Sequence, residues 1–318
     1  MKKWFVLMVL ALVALPVISR AADWKPQGDV KVIVAYKAGS GTDTGARVLS
    51  QEAEKNIGAP LIIENLPGAD GKIGWTQLVN AKPDGQTIGF INLPTFTSLA
   101  NQADSTFTIE DIVPIANHLT ETGVVAVKAD SPWKNIKDLV AAAKEKPSYR
   151  ASTNGVEASN HIAAQLLAKS GGFDYKAIPY GGTADQLLAL RQGEVDFTCA
   201  KVADVMPLIK GDKPELRILG VFADERLPEL PDVPTLKENG LYDKWYGSAR
   251  GLVAPKGTPP EIIDFYVEAF RKTMEDPANI EAHKKAGLNM DFKDNKAYGE
   301  IIQDQNTFAK DVVGNLFK

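Results

Sequence analysis

Two short turns carry residue types suited to holding an anion. Ala38-Gly39-Ser40-Gly41-Thr42-Asp43 and Ser152-Thr153-Asn154-Gly155 each follow a β-rich pattern and each lead into an amphipathic helical one. The first turn of a helix has backbone N–H groups with no internal partner, and the aligned peptide dipoles place partial positive charge there. A carboxylate can bind at such a position without any arginine. Gly39, Ser40, Gly41 and Thr42 are placed to offer backbone N–H groups, and the hydroxyls of Ser40 and Thr42 add donors. Thr153, Asn154, Gly155 and Ser159 are placed to hold the opposite end of a ligand, with Tyr180, Gly182 and Thr183 lining a neighbouring turn. Together the turns suggest a two-sided clamp for a small anion.

Other residues near these turns have two candidate jobs each. Asp43 at a helix start is placed either to cap backbone N–H groups or to meet the ligand. Arg47, one turn later, is placed to pair with a carboxylate or to pack along the helix. Tyr36 at a strand end, and Thr95 with Phe96 after the third strand, sit where open α/β sheets bind ligands, beyond the carboxyl ends of the strands. The same three positions suit hinge or core packing. His161, near a helix start, reads as a structural hydrogen-bonder and is left outside the site.

Signals for other chemistries are missing. The stretch from Gly39 to Arg47 lacks the Gly-Lys-Ser/Thr ending of a nucleotide loop, and Thr44 stands where a dinucleotide fingerprint needs its third glycine. His118, His161 and His283 lie far apart in sequence with no nearby ligand cluster, so no metal is expected. No serine sits in a Gly-x-Ser-x-Gly elbow. No catalytic residue and no cofactor follow from the chain, and an enzyme would need convergent proton-transfer groups in the cleft.

The N-terminus reads as a secretory signal. Met1-Lys2-Lys3 precedes an apolar run from Trp4 to Ile18, and Ser19-Arg20-Ala21 offers small residues where a signal peptidase reads them. The run is short for a membrane span of roughly 20 residues. No cysteine lies near the cleavage point for lipid attachment, so the expectation is a secreted protein free in solution after cleavage near Ala21. The chain has 36 basic and 40 acidic side chains. Losing Lys2, Lys3 and Arg20 with the signal makes the remainder more acidic, which argues against a nucleic-acid surface. The lone Cys199 cannot form an internal disulfide, and within a strand pattern it reads as a small buried hydrophobe.

The elements that must position these turns alternate between strand and helix almost throughout, the pattern of α/β domains with mainly parallel sheets. Strands are expected at Val30 to Tyr36, Leu61 to Glu64 and Thr87 to Leu93, with helices from Asp43 to Lys55 and Ile73 to Ala81 between them. A second unit opens at Val124 to Lys128 and repeats the plan through strands near Tyr149 to Ser152, Tyr175 to Pro179, Val195 to Ala200 and Arg217 to Phe222. Helices fall at Ile136 to Lys144, Ser159 to Lys169 and Ala184 to Gln192. A strand from Gly247 to Ala254 and a helix from Glu261 to Met274 then return to the first unit. This gives lobe 1 as 22–123 plus 247–318 and lobe 2 as 124–246, joined by a two-strand hinge that Phe222, Trp245 and Tyr246 stabilise.

Seven segments, in order and spacing, carry a family resemblance. They are Val32 to Arg47, Ile63 to Gly74, Pro83-Asp84-Gly85, Ser152 to His161, Pro179-Tyr180-Gly181-Gly182, Gly193-Glu194-Val195-Asp196 and Ala254 to Pro259. The chain resembles the tripartite tricarboxylate transporter substrate-binding proteins, also called the Bug family, over nearly its whole length after the signal. The resemblance implies a two-lobed periplasmic binding protein of type II. Such a protein closes over a small organic acid and delivers it, as a monomer, to the membrane permease subunits of a tripartite tricarboxylate-type transporter. The rival reading is an adaptor that presents its ligand to a membrane sensor, or else a secreted enzyme.

The chain departs from that family's pattern at several positions. Ala38-Gly39-Ser40 stands where Pro-Gly-Gly is usual, and Glu157 and Ala158 occupy places usually held by glycine and then Ser or Thr. Gly181 replaces a common lysine, and Asp185 stands where proline is frequent. A buried carboxylate ligand is expensive to desolvate and would be repelled by nearby acids. Either Glu157 faces solvent and Asp185 caps its own helix, or the ligand also carries an amino group or other donor facing Glu157 or Asp185.

Overall fold

The computed structural model describes residues 24–146, 148–155 and 158–317. The expected signal, 1–21, and Glu157 lie outside the described residues.

The chain begins with β1 (Val30–Val34), α1 (Gly41–Ile57), β2 (Leu61–Asn65), α2 (Lys72–Val79), β3 (Thr87–Leu93) and α3 (Thr95–Ala100). A 17-residue strand, β4 (Ile112–Lys128), then runs out of this unit into the next. The second unit holds α4 (Ile136–Glu145), β5 (Arg150–Thr153), α5 (Ser159–Gly171), β6 (Lys176–Pro179), α6 (Thr183–Gln192), β7 (Phe197–Lys201), α7 (Val202–Ile209) and β8 (Leu216–Val221). The return is made by β9 (Gly247–Pro255), α8 (Pro260–Glu275), α9 (Pro277–Lys285), β10 (Met290–Lys293) and α10 (Asn295–Phe308).

Two sheets share β4. In lobe 1 the order is β2-β1-β3-β9-β4 with β10 also on β4, and in lobe 2 it is β4-β7-β5-β6 with β8 also on β4. The outer strands of each lobe are parallel, β1 with β2 and β3, and β5 with β6 and β7. The strands that link the lobes run antiparallel, β9 with β3 and β4, and β4 with β7 and β8. Thr122 opposite Gly247 closes the lobe 1 register, and Gly123 opposite Lys201 opens that of lobe 2. At this crossing the Gly123 N–H donates to the Tyr246 carbonyl at 2.9 Å, and the Phe222 N–H donates to the Gly123 carbonyl at 2.8 Å.

Local chemistry accounts for the elements that matter to the site. Ser40 accepts the Asp43 N–H through its hydroxyl to start α1, and Gly58, in the left-handed region, ends it. Between them Ala46, Leu49, Ala53 and Ile57 repeat at helical spacing and are buried against Val30, Val32 and Val34. Ile33, on the opposite face of the same strand, packs with Trp75, Leu78 and Phe96. β4 divides lobe 2 in the same way: Val125 and Val127 join Ile136, Leu139 and Phe197, while Val124 and Ala126 join Leu190, Val205 and Ile218. Each fully buried valine, leucine or isoleucine among them contributes about 1.5–3 kcal/mol.

The C-terminal turns correct one boundary. The sequence reading gave everything after 247 to lobe 1, yet Val313 is buried in the lobe 2 core, with Phe308, Val312, Leu316 and Phe317 packed beside it. The Phe317 ring lies 4.7 Å from that of His161 on α5. The tail therefore straps lobe 2 after α10 has packed Tyr298 and Ile302 into lobe 1.

Candidate functional site

The first anion turn keeps two of its four expected amides. The Gly39 N–H donates to Asp43 Oδ2 at 2.8 Å, and the Ser40 N–H donates to the Lys37 carbonyl at 3.1 Å, so both are already committed. The Ser40 hydroxyl is likewise turned to the Asp43 N–H. No acceptor among the described residues takes the N–H of Gly41 or Thr42, the first two residues of the 17-residue helix α1. The Thr42 hydroxyl accepts from Asn92 Nδ2 at 2.8 Å, which fixes that side chain to β3.

Asp43 takes the first of its two expected roles, accepting a backbone N–H and organising the turn. It is 2% exposed and accepts from the Gly39 N–H, from Arg47 Nε at 3.0 Å and from Asn65 Nδ2 at 2.9 Å. Burial opposes its ionisation, but the bonds from Arg47, Gly39 and Asn65 outweigh it and hold the carboxyl below its ordinary range. Asn65 also donates to the Tyr36 carbonyl at 3.0 Å, so β1, β2 and α1 are tied together behind the turn. Arg47 pairs with Asp43 and reaches Asn65, as one of its two expected roles.

Of the three positions beyond the strand ends, two lie together. The Tyr36 hydroxyl bonds to Thr95 and is held above its usual range by burial and then by Asp70, against the pull of Arg250. Phe96 is fully buried between Trp75 and Phe107, with ring centroids at 5.3 and 4.8 Å, and belongs to the core of lobe 1.

On lobe 2 the second turn is built around α5. Asn154 Oδ1 accepts the Asn160 N–H at 3.1 Å, and the buried Thr153 hydroxyl donates to the Gly155 carbonyl. Ser159 heads the helix, with its hydroxyl toward Lys201. Gln186, fully buried, ties the turn to its sheet: it donates to the carbonyls of Ser152 and Cys199 and accepts from Asn160. Tyr180 points its hydroxyl at Glu194, 3.1 Å away. Gly182 and Thr183 begin α6, which has no side-chain cap, and Asp185 is exposed in its first turn.

The lobes meet near these turns at two points of a closed seam. Gly155, at φ +142°, leaves room for the Asp70 carboxylate of lobe 1, which a Cβ there would strike. Lys37 Nζ of lobe 1 lies against Gly181 of lobe 2, within 3.4 Å of where a Cβ would stand. A cavity of about 380 Å³ opens elsewhere, on lobe 1 among Ile33, Ile73, Thr76 and Thr87, and one of about 230 Å³ lies beside the hinge among Trp245, Gly247, Asp291 and Asp304. Neither is lined by Gly41, Thr42 or Gly155.

Three charged residues that the sequence reading did not select stand at the hinge side of this seam. Arg250 on β9 is 8% exposed, and its Nη1 lies 3.1 Å from the position a Cβ of Gly41 would take. Its Nε is buried without a partner, as is Asn92 Oδ1 on the paired residue of β3. Lys201, 2% exposed at the end of β7, donates to Ser159 Oγ at 3.2 Å and Asn160 Oδ1 at 2.6 Å. Burial lowers its ammonium to about 8, with Arg250 adding repulsion and Asp204 and Glu121 opposing the shift. Glu121 on β4, buried and accepting the Asn289 N–H, is pushed up to about 7 by burial despite Arg250 nearby. The signal available in the sequence was a lone arginine among small residues in a strand otherwise apolar, Gly247 to Ala254.

The structure also brings together two histidines that lie far apart in sequence. His118 Nε2 and His283 Nε2 are 2.6 Å apart in the lobe 1 core, and His283 Nδ1 donates to the Asn279 carbonyl at 2.8 Å. No group of three metal-binding side chains forms among the described residues.

Two α/β lobes on a shared pair of crossing strands, with helix heads facing across the seam, define the class of two-lobed solute-binding proteins. The family model for the tripartite tricarboxylate transporter family receptor matches residues 45–316, and the chain belongs to that family. It is 30% identical over 308 residues to a protein from the gbd 5' region of Cupriavidus necator, covering 96% of this chain and 93% of that one. A TctC solute-binding protein from Polaromonas, solved without ligand, superposes with a TM-score of 0.72 at 29% identity over 91% of this chain and 99% of its own. MatC of Rhodopseudomonas palustris, solved with bound malate, superposes with a TM-score of 0.83 at 26% identity, over 91% and 99%. The chain is accordingly a solute-binding protein and not an enzyme.

Proposed function

We propose that the chain is exported to the periplasm, captures a small organic acid between its lobes by hinge closure, and delivers it as a monomer to the permease subunits of a tripartite tricarboxylate-type transporter. The observation that carries this reading is the pair of open N–H groups, Gly41 and Thr42, at the head of a 17-residue helix on the seam. Thr153, Asn154, Gly155 and Ser159 supply the facing surface, with Thr95 and Tyr36 beside the first turn. Gly39, Ser40 and Asp43 shape that turn, and Phe96 supports it from the core. Tyr180, Gly182, Thr183 and Asp185 stand at the rim. The family, and malate in the MatC structure, support a carboxylate as the ligand class.

Closure follows from differential contact. An acid held by one lobe gains partners on the other only when the lobes meet, so it favours the shut state by that difference. Micromolar affinity corresponds to about −8 kcal/mol, within reach of a few charge-assisted bonds. Calorimetric titration of the mature chain with succinate, malate, citrate and aspartate tests the ligand class. Solution scattering should show a smaller radius of gyration at saturation. A chain that binds none of these acids, or whose envelope does not change, overturns the reading.

A further inference from the structure

We propose that Asp70 is a specificity-determining residue of the cleft: its carboxylate, set against Gly155 of lobe 2, gives the seam a negative end beside the positive head of α1, so that the chain takes an acid that also carries an ammonium group. This rests on the organic-acid reading above and narrows its ligand class.

Asp70 is carried to the seam by an unusual loop. Gly68, Ala69, Asp70 and Gly71 follow β2 with φ of +134°, +46°, +56° and +111°. Two of the four are not glycine, and L-residues are strained in that region. A Cβ at Gly68 would stand 2.5 Å from Ile73 Cδ1, and one at Gly71 would stand 2.8 Å from Trp75 Cζ3, so the loop is pressed down onto α2. Asp70 is left to reach across, and its carboxylate takes the space that a Cβ of Gly155 would need. Strained backbone of this kind persists where the surrounding structure over-determines it, and ligand clamps are among those places.

The charge of Asp70 completes a polarity in the cleft. At one end stand the N–H groups of Gly41 and Thr42, with Arg250 Nη1 lying 3.1 Å from the Cβ position of Gly41. At the other stands Asp70, against the turn that holds Thr153 and Asn154. Tyr36, whose hydroxyl is raised first by burial, feels Asp70 and Arg250 with opposite sign, so one residue beside the first turn lies within reach of both charges. A carboxylate is drawn to the first end and repelled from the second, and an ammonium is drawn to the second. The two acids that sequence offered to such an ammonium are less suited. Glu157 lies outside the described residues, and Asp185 has a lysine for neighbour, since its Oδ2 and Lys37 Nζ lie 3.6 and 3.4 Å from one point, the Cβ position of Gly181.

The test compares acids that differ only by an amino group, L-aspartate with succinate and 4-aminobutyrate with butyrate, by calorimetry on the wild-type chain, Asp70→Asn and Asp70→Gly. Asparagine tolerates the left-handed region and glycine favours it, so both variants suit the loop. The wild type should prefer the amino member of at least one pair by about tenfold or more, and both variants should cut that ratio by about tenfold. The change comes from weaker binding of the amino member, stronger binding of its partner, or both. A purely structural part for Asp70 would weaken the two members alike, so a ratio unchanged in both variants overturns the proposal. A wild type that binds the amino-free member of each pair as well or better also overturns it, and leaves the organic-acid reading intact. Failure of the wild type to bind any acid, citrate and malate included, removes the organic-acid reading and this inference with it.

Discussion

Gly155 of lobe 2 lies so close to the Asp70 carboxylate of lobe 1 that no side chain fits between them. The contact joins the loop after β2 of lobe 1 to the second ligand turn, and Gly155 holds φ at +142°, where L-residues are strained. Gly155→Ala should therefore keep the lobes from shutting. The expected outcome is an affinity loss of about tenfold or more, with a radius of gyration at saturating ligand that stays near the ligand-free value. Calorimetry and solution scattering on the same sample check it. Full closure in the variant would show that this contact does not gate the seam.

The His118–His283 pair predicts acid sensitivity. His283 gives its Nδ1 proton to Asn279, so its Nε2 accepts from His118, and both rings are neutral. Burial holds both below the ordinary histidine range. The unfolded chain takes up protons near pH 6.5 that the folded chain refuses, so stability falls as pH drops below about 6.5. Each histidine contributes up to about 1.4 kcal/mol per pH unit in that window. His118→Gln should flatten the decline between pH 6.5 and 5 by about one proton's worth, read from urea unfolding at several pH values. A slope equal to that of the wild type would contradict the neutral pair.

Gln186 fixes the second turn through four neighbours, and its loss should be felt at a distance. Replacing it by Leu strands the Cys199 carbonyl and the Asn160 amide, while the Ser152 carbonyl keeps the Thr198 hydroxyl. Each stranded group costs about 1–3 kcal/mol, so destabilisation of roughly 2–5 kcal/mol is expected. Because Asn160 Oδ1 also holds Lys201 at 2.6 Å, ligand affinity should fall along with the unfolding midpoint. An unchanged midpoint in thermal unfolding would sink this account.

Much of this framework was legible in the sequence because local patterns and tertiary needs agree. Thr87–Leu93 was expected with the bounds observed, and α1 was placed from its apolar spacing within two residues at either end. The first half of β4 escaped notice because Pro114, Asn117, His118 and Glu121 interrupt its apolar pattern, and the last three are buried against partners distant in sequence, Asp291, His283 and Asn289. The same limit hid the site's charges. Arg250 meets α1 through a β-sheet register, and Lys201 meets α5 through side chains 41 and 42 residues away, neither of which spacing reveals. The clamp's amides were read from turn type, but the competition of Asp43 and Lys37 for Gly39 and Ser40 depends on how the turn folds back on itself.

Glu121 offers a test of the electrostatics on the hinge side of the seam. Arg250 and Lys201 face it with positive charge, the Asn289 N–H donates to it, and Asp204 repels it, yet burial dominates and sets its carboxyl near 7. An acid whose folded value lies above its unfolded one binds its proton more tightly when folded. Ionised Glu121 therefore lowers stability above pH 7, and this penalty fades as pH falls toward 4.5. Glu121→Gln, which can keep the bond from Asn289, should stabilise the chain by about 2–3 kcal/mol at pH 8 and by nothing measurable near pH 4.5. The same charge opposes an incoming carboxylate, so wild-type affinity for succinate should rise between pH 8 and 6 by more than the variant's, in which Lys201, lowered to about 8, still titrates. Urea unfolding and calorimetry at matched pH check both arms, and a variant with the wild-type pH profile would mean that Glu121 does not carry the titration.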